Sequence, residues 1–350
     1  MQKQLLTNIT IIRPVLVVLL VFYHSFAIYG GGWQPIEGFP VVIAYWWLDK
    51  LSYAFMLETF VFVSGYVFGY QVRIKGEIKL EAKDLLFGKF KRLMIPSMVF
   101  SFLYILLLKD ITQPIKKTFY DLVNGVGHLW FLPMLFWCFI AVWLIEKLKL
   151  NQRLVLLVLL LCSLGSFVWL PLQLNATLYY LFFFYVGYML QRKNIRVEKF
   201  YKPCFVIGLT ALFVVVFPVL TFYRTCIEDN LLNGLVSDSQ INKLLLYIFL
   251  NLAKIVYSFI GLSMLFITVG FAEKRHRMMI PQWVVKIGEL CMGVYLFQQF
   301  IIKAFYDHTM LPNVLGPYWL PWVVFVVTLL FSLVLSYLLR LTKMGRFLIG

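Results

Sequence analysis

Long apolar runs separated by short polar stretches recur along the whole chain. Most of these runs have roughly 18 residues or more, which lets an α-helix cross a hydrocarbon core of about 30 Å. The pattern predicts an all-α integral membrane protein with about ten transmembrane helices. The predicted spans are 11–29, 51–70, 93–108, 128–145, 154–171, 176–190, 204–223, 244–270, 284–305 and 318–339.

The composition excludes a water-soluble protein. Of the 350 residues, 62% are hydrophobic and only 14% are charged, and the mean hydropathy is +0.85. Such a chain has too few polar side chains to cover the surface of a soluble domain. Because the sequence contains no long linker, we expect a single polytopic transmembrane domain over residues 1–350.

The net charge of +16 is informative through its distribution. Of the 32 Lys and Arg residues, 23 lie on one side of the predicted spans, 6 on the other, and 3 within or at the ends of spans. By the positive-inside rule both termini are cytoplasmic, which agrees with an even number of spans. The basicity is therefore a topology signal, and we expect membrane lipids rather than nucleic acid as partners.

Several common sites are not predicted. The five cysteines show no CxxC spacing and mostly lie in apolar runs, so we expect neither a disulfide framework nor a metal site. The first apolar run is not followed by a signal-peptide cleavage pattern and is expected to remain as span one. The nucleotide-binding and hydrolase motifs of soluble enzymes are not found.

Arg13 and His24 are the two ionisable residues of the first span. They are 11 positions apart, which at about 100° per residue places them on one helix face about 16 Å apart. An ionisable residue inside a membrane suggests function. Taken singly, Arg13 could also extend to the lipid headgroups, and His24 could be an ordinary interhelical hydrogen-bonding residue.

Further polar residues lie at similar predicted depths in other spans. Glu58 in span two, His128 at the outer start of span four and Lys254 in span eight could line an outer-half cavity with His24. A buried ion pair is the alternative for Glu58 and Lys254. On the inner side, Lys91 and Arg92 precede span three and could bind phosphate, although the positive-inside rule also predicts basic residues there.

The order of several short motifs resembles the membrane-bound acyltransferase-3 family, whose members acylate surface and secreted saccharides. The likeness covers nearly the whole chain. It includes the ten residues between Arg13 and His24, and four later segments, which are "FVFVSGYVFGY", "KFKRLMIP", "GHLWFLPML" and "MGVYLFQQF".

This resemblance implies an acyl-CoA-dependent O-acyltransferase of the bacterial plasma (inner) membrane. Its co-substrate would be acyl-CoA, in the first instance acetyl-CoA, with no tightly bound cofactor. Its acceptor would be a hydroxyl group of a glycan or of a lipid-linked saccharide. Arg13, Lys91 and Arg92 would hold the donor.

The remaining candidate residues would act on the acceptor. His24 is expected to be the general base, and Glu58 to orient it if the two helices touch. His128, Trp130 and Lys254 are expected to bind the saccharide, although an interfacial tryptophan is commonly a membrane anchor.

One position departs from the family pattern. Many relatives have Y-L-x-H in span nine, whereas Tyr295 and Leu296 are followed here by Phe297 and Gln298. Glutamine forms hydrogen bonds but does not carry a proton at neutral pH, so acid or base chemistry at this position is lost.

Two other functions remain open from the sequence. A transporter or flippase for a glycan or small acid could use Glu58, Lys254 and the histidines as proton-relay or substrate-site groups. A non-catalytic scaffold would explain the topology but gives His24 and Glu58 no role.

Overall fold

The computed structural model describes residues 7–75, 82–108, 114–232, 240–276 and 281–349. Over these residues the regular structure is helical, and no strand occurs. An all-helical fold is the only fold besides a closed barrel that satisfies backbone hydrogen bonds inside a bilayer. The predicted fold class is confirmed in this respect.

Eight helical segments of the described residues are long and apolar enough to cross a membrane. They coincide with eight of the ten predicted spans and are Asn8–Gly30, Ile43–Ile74, Leu85–Leu108, Gly127–Lys147, Pro203–Leu231, Ile241–Arg275, Gln282–His308 and Leu311–Leu341. The total of ten spans and the cytoplasmic position of both termini stay predictions. Lys3, Lys79, Lys109 and Arg277, which entered the charge count, lie outside the described residues.

The predicted span 154–171 is too long at its end. The helix covers only Gln152–Leu164, since Gly165 follows as its cap. Leu172 and Gln173 have left-handed φ angles of 57° and 60°, and the next helix begins at Leu174. The helix therefore ends inside the apolar run, and the left-handed residues lie directly before the next helix.

The chain divides into two compact units, each built from separate segments. The first unit comprises residues 1–56, 90–133 and 279–350. Its elements are α1 (Thr7–Gly30), α2 (Ile43–Tyr53), a π-helical segment (Phe90–Met94), α5 (Ile95–Leu108), α6 (Ile115–Asn124), a 3-10 turn (Gly127–Trp130), α12 (Gln282–His308), α13 (Leu311–Leu341) and α14 (Lys343–Ile349).

The core of the first unit lies between α1, α12 and α13. Ile28, Ile302 and Leu320 are buried there, and the Tyr306 hydroxyl donates a 2.5 Å hydrogen bond to the carbonyl of Ser25. A tyrosine buried among apolar side chains needs such a partner for its hydroxyl. This packing fixes α1, which carries Arg13 and His24, against α12.

The second unit comprises residues 57–89 and 134–278. Its elements are α3 (Met56–Lys75), α4 (Ala82–Lys89), α7 (Phe131–Lys147), α8 (Gln152–Leu164), α9 (Leu174–Arg192), a 3-10 turn (Glu198–Phe200), α10 (Pro203–Leu232) and α11 (Gln240–His276). The predicted span 51–70 mostly coincides with α3, while its first three residues close α2. The prediction of one domain over residues 1–350 stays a prediction.

Glycines let α3 and α9 approach very closely in the second unit. A Cβ at Gly65 would lie 2.0 Å from the carbonyl oxygen of Phe184, and a Cβ at Gly187 would lie 2.2 Å from that of Phe62. Small residues at crossings of this kind are typical of membrane helices. Ser64, next to Gly65, donates its hydroxyl to the Phe60 carbonyl of its own helix at 2.9 Å.

Candidate active site

The first unit brings His24 and His128 together. His24 lies on α1 and is 7% exposed, while His128 lies in the Gly127–Trp130 turn and is 5% exposed. Their ring centroids are 6.3 Å apart, with the planes inclined by 71°. Two of the four residues predicted to share one cavity are therefore neighbours, and they form the centre of what we call the histidine cluster.

The turn that carries His128 depends on a glycine. Gly127 has a φ of 58°, which is the left-handed region that glycine adopts readily. A Cβ at this position would lie 2.5 Å from the side-chain oxygen of Gln299 on α12. Gly127 is thus required both for the backbone conformation of the turn and for its close approach to Gln299.

Helix α5 holds the same turn through two serines. The Ser101 hydroxyl oxygen accepts a 3.1 Å hydrogen bond from the backbone N–H of Val126. The Ser97 hydroxyl donates to the carbonyl of Leu129 at 3.4 Å. Both serines are fully buried, so these bonds satisfy polar groups that would otherwise be costly in an apolar interior.

Helix α12 holds His128 itself through Tyr295 and Gln299. The backbone N–H of His128 donates to Gln299 Oε1 at 3.1 Å, and the ring Nδ1 lies 2.8 Å from the same oxygen. The Tyr295 hydroxyl donates to the carbonyl oxygen of His128 at 2.7 Å. The position and ring orientation of His128 are consequently fixed from its backbone and from its side chain.

Other polar atoms of the cluster have no hydrogen-bond partner among the described residues. They are Nδ1 of His24, Nε2 of His128 and both amide atoms of the fully buried Gln298. Gln298 interacts with the His24 ring, but without the geometry of a hydrogen bond. Leaving a buried polar group unsatisfied costs roughly 1–3 kcal/mol, so the cluster can gain from a ligand that supplies partners. Gln298, Gln299 and Tyr295 complete the histidine cluster.

Trp33, which sequence reasoning missed, is an aromatic ring stacked beside His24. The two rings are nearly parallel, with centroids 5.8 Å apart and an interplanar angle of 19°. The Nζ of Lys303 lies 5.1 Å from the centroid of the Trp33 ring. The signal available in the sequence was the glycine-rich segment "GGGW" that follows α1. Phe131 is a ring neighbour of Trp130, with centroids 6.2 Å apart, and the saccharide contact predicted for Trp130 stays a prediction.

The basic residues predicted to bind the donor also lie in the first unit. Arg13 is within α1, which meets the condition for placing it on the same helix as His24. Arg92 lies in the π-helical segment and is one of the charged groups that interact with the Arg13 guanidinium. Both arginines are exposed. Two like charges held within electrostatic range favour an anion between them.

Lys91 is the third predicted donor residue. It precedes Arg92 in the π-helical segment, is exposed, and its Nζ lies 5.5 Å from the centroid of the Phe347 ring. Single turns of π-helix are frequent at functional sites. Its contact with a donor phosphate stays a prediction.

Glu58 and Lys254 lie in the second unit and form an ion pair. Glu58 Oε1 is 3.3 Å from Lys254 Nζ and accepts a 3.3 Å hydrogen bond from the Tyr179 hydroxyl. Glu58 is 0% exposed. The ion-pair interpretation of Glu58 and Lys254 is confirmed, while the orienting role of Glu58 toward His24 and the saccharide contact of Lys254 stay predictions.

A second set of charges continues from this pair. Arg224 donates to the hydroxyl of Tyr257 at 2.7 Å and forms a 2.7 Å ion pair with Glu228. Arg224 also interacts electrostatically with Lys254. We call Glu58, Lys254, Tyr179, Arg224, Tyr257 and Glu228 the charge cluster. Sequence reasoning did not single out Arg224, although an arginine in the apolar α10 was a visible signal.

One of three comparisons with known proteins found a match. A family model described as an acyltransferase domain matches residues 6–341, which is nearly the whole chain. A search of curated proteins and a search of solved structures found no match.

Proposed function

The chain belongs to the membrane-bound acyltransferase-3 family, and on this premise we propose that it transfers an acyl group from cytoplasmic acyl-CoA to a saccharide hydroxyl. The acyl group is acetyl in the first instance. The acceptor is a surface or secreted saccharide or its lipid-linked precursor. The family match supports acyl transfer in general, and the donor and acceptor are part of the proposal.

The observation that carries the proposal is that one helix, α1, contributes to two polar sites. Near its start, Arg13 interacts with Arg92, and 11 residues later His24 lies beside His128. The rise of an α-helix separates these positions by about 16 Å. An extended donor with phosphates at one end and a thioester at the other has a shape suited to this arrangement.

The basic residues would hold the phosphates of the donor. Guanidinium groups bind phosphate oxygens through paired, charge-assisted hydrogen bonds, and a lysine adds a point charge. Arg13, Arg92 and Lys91 are assigned this role. Because Arg13 and Arg92 repel one another without an anion, binding of the donor relieves that repulsion.

The histidine cluster would carry the chemistry. The acceptor hydroxyl attacks the thioester carbonyl carbon, a C–O bond forms, and the C–S bond breaks. The hydroxyl proton passes to an imidazole, which the sequence predicted to be His24, and then to the departing thiolate. Trp33, parallel to His24, offers an apolar face for a sugar ring, a contact that the sequence predicted for Trp130.

The charge cluster has a supporting role in this proposal. Lys254 stays the predicted saccharide-binding residue of the second unit, held by Glu58 at 3.3 Å. The protein is proposed to lie in a bacterial plasma membrane with ten spans and both termini in the cytoplasm, where acyl-CoA is made.

A transporter is the second candidate function, and the charge cluster is the observation that favours it. Intramembrane ion pairs are typical of proton relays and substrate sites in transporters. Net movement of a glycan without acylation would identify this function.

The experiment that tests the proposal is mass spectrometry of the surface and secreted glycans of the bacterial host. Strains lacking the gene are complemented with wild type, His24→Ala or Arg13→Ala at matched membrane levels. His308→Ala and Arg153→Ala are the controls, because both residues are exposed and lie outside the proposed site.

We expect an acyl group to disappear on deletion and to return with wild type and with both controls. It should stay absent with His24→Ala and Arg13→Ala. Unchanged acylation after deletion, together with a changed amount or location of the glycan, would overturn the proposal in favour of the transporter.

A further inference from the structure

Two nitrogens of His128 lie within hydrogen-bond distance of one oxygen of Gln299. The backbone N–H lies 3.1 Å from Gln299 Oε1, and the ring Nδ1 lies 2.8 Å from the same atom. The side chain of Gln299 is 4% exposed, so water does not replace either contact. This arrangement determines the tautomer of the His128 ring as well as its position.

The backbone N–H identifies the atom of the Gln299 amide that faces His128. A backbone N–H only donates, whereas the amide nitrogen of glutamine carries two hydrogens and cannot accept. The amide oxygen must therefore face the backbone N–H. The same oxygen then faces Nδ1, and since an amide oxygen only accepts, Nδ1 must carry a hydrogen.

The position of this hydrogen fixes the tautomer of the neutral ring. A neutral imidazole has one N–H and one lone pair, so the lone pair of His128 lies on Nε2. That atom is buried and has no hydrogen-bond partner among the described residues. The centroid of the ring that carries Nε2 is 6.3 Å from the centroid of the His24 ring.

We propose that His128 Nε2 is the general base of acyl transfer and that Gln299 is the positioning residue that sets its tautomer. The proposal rests on the acyltransferase function proposed above and moves the role of base from His24 to His128. His24 lacks the corresponding contact, since its Nδ1 has no hydrogen-bond partner among the described residues.

The step balances with these groups alone. The acceptor hydroxyl gives its proton to His128 Nε2 as its oxygen bonds to the thioester carbon. The imidazolium now carries hydrogens on both nitrogens, and its Nδ1–H keeps the hydrogen bond to Gln299 Oε1. The C–S bond breaks, and the Nε2 proton passes to the thiolate, which gives the O-acyl ester, free CoA and the neutral ring.

Gln299 resembles the third member of a catalytic triad in what it does. It accepts from Nδ1–H, holds the ring and selects the tautomer. As an uncharged amide it does so without placing a carboxylate in the apolar interior, where an isolated charge is costly. Gly127 makes the contact possible because a Cβ there would occupy the space of Gln299 Oε1.

The first test reads the tautomer directly. The chain has only 4 histidines, so a His276→Gln/His308→Gln variant retains just His24 and His128. This full-length protein, labelled with ¹⁵N-histidine and placed in lipid nanodiscs, is studied by NMR at a pH where imidazole is neutral. His24→Asn on the same background assigns the remaining signals.

We expect the His128 signals of a ring protonated at Nδ1 and bare at Nε2, the less common form of free histidine. In Gln299→Leu the signal should shift toward the Nε2–H form. A His128 ring protonated at Nε2 in the protein without a Gln299 substitution would overturn the proposal, and that result does not depend on whether any variant at Gln299 folds.

The second test compares two substitutions at Gln299 in transfer of labelled acetyl from acetyl-CoA to a glycan extract of the host. Gln299→Glu keeps an acceptor oxygen and should retain kcat within about tenfold, whereas Gln299→Leu should lower kcat by roughly 100-fold or more with an unchanged KM for acetyl-CoA. Equal kcat in the two variants, or an effect on KM alone, would contradict the positioning role.

The two tests separate this inference from the proposed function. Acyl transfer by wild type with an Nε2–H ring at His128 would overturn the role of Gln299 and leave the acyltransferase intact. An Nδ1–H ring without any transfer by wild type would overturn the acyltransferase, and with it the role of His128 as a base.

Discussion

The histidine cluster and the charge cluster both place polar side chains in the protein interior, but they differ in charge pairing. In the charge cluster the opposite charges are paired with one another, as in Glu58 with Lys254 and Arg224 with Glu228, although Glu58 Oε2 and Arg224 Nε have no hydrogen-bond partner among the described residues. In the histidine cluster, Nδ1 of His24, Nε2 of His128 and the Gln298 amide have no partner among the described residues.

We expect the charge pairing to contribute mainly to stability, and the uncharged groups of the histidine cluster to be available to a substrate. A buried charge that is paired is already stabilised by its partner, and removing the partner destabilises the folded protein. A buried lone pair without a partner is unfavourable in the free protein and becomes favourable when a substrate supplies a hydrogen. Substitutions in the two clusters should therefore differ in whether they lower activity or stability.

The largest effect is expected from the histidine cluster. His128→Ala should lower the rate of acyl transfer by roughly 10²–10⁴-fold, the contribution typical of a general base, and His24→Ala should also lower it because His24 lies beside His128. The amount of folded protein in the membrane should not fall. Transfer of labelled acetyl and membrane abundance are measured together with His308→Ala as the control. A loss of abundance that accounts for the lost activity would contradict a chemical role.

The charge cluster should respond in the opposite way. Glu58→Gln or Lys254→Met alone leaves a buried charge without its main partner and should destabilise the protein by about 3–5 kcal/mol. The double variant Glu58→Gln/Lys254→Met should regain most of this stability. Unfolding in detergent, followed for the four proteins of the cycle, measures the coupling. Additive losses in the double variant would show that the ion pair does not determine stability.

A glycine pair tests whether packing in the second unit is as strict as the close approach of α3 and α9 indicates. Gly187→Ala would place a Cβ 2.2 Å from the Phe62 carbonyl oxygen and should cost about 1–3 kcal/mol. Gly208→Ala is the control, because nothing lies within 4 Å of its Cβ and alanine favours a helix by roughly 1 kcal/mol. Thermal unfolding of both variants gives the comparison, and equal melting temperatures would refute the close crossing.

The smallest effect is expected at the donor residues. Arg13→Gln should raise the KM for acetyl-CoA by about tenfold, the loss of roughly 1.4 kcal/mol that one charge-assisted contact provides. Because Arg13 and Arg92 interact, the effects of Arg13→Gln and Arg92→Gln should be non-additive. Initial rates over a range of acetyl-CoA concentrations measure this. An unchanged KM in the double variant would place the donor elsewhere.

Hydropathy predicted most of the fold because only helices and closed barrels satisfy the backbone hydrogen bonds inside a bilayer. Eight of the ten predicted spans coincide with apolar helices. The predicted end of span 154–171 was wrong, because an apolar run does not reveal that Gly165 caps the helix. The break at Gly316, with a φ of 63° inside α13, also depends on local conformation rather than on hydropathy.

The sites were predicted in part. Equal depth suggested that His24, His128, Glu58 and Lys254 belong together, and the structure shows one pair within each unit. Depth along a helix can be read from sequence, but the order of helices in space cannot. Gln299 was visible in the sequence as a polar residue of span nine. Its contact with His128 depends on the left-handed φ of Gly127, which the sequence alone does not specify.

The most direct test of the account is transfer of labelled acetyl from acetyl-CoA to a host glycan extract by the purified full-length protein in nanodiscs. With wild type, the account predicts label in the glycan and an equal release of CoA thiol. With folded His128→Ala, it predicts neither above background. Label transfer by His128→Ala at the rate of wild type, or no transfer by folded wild type with intact acetyl-CoA, would contradict it.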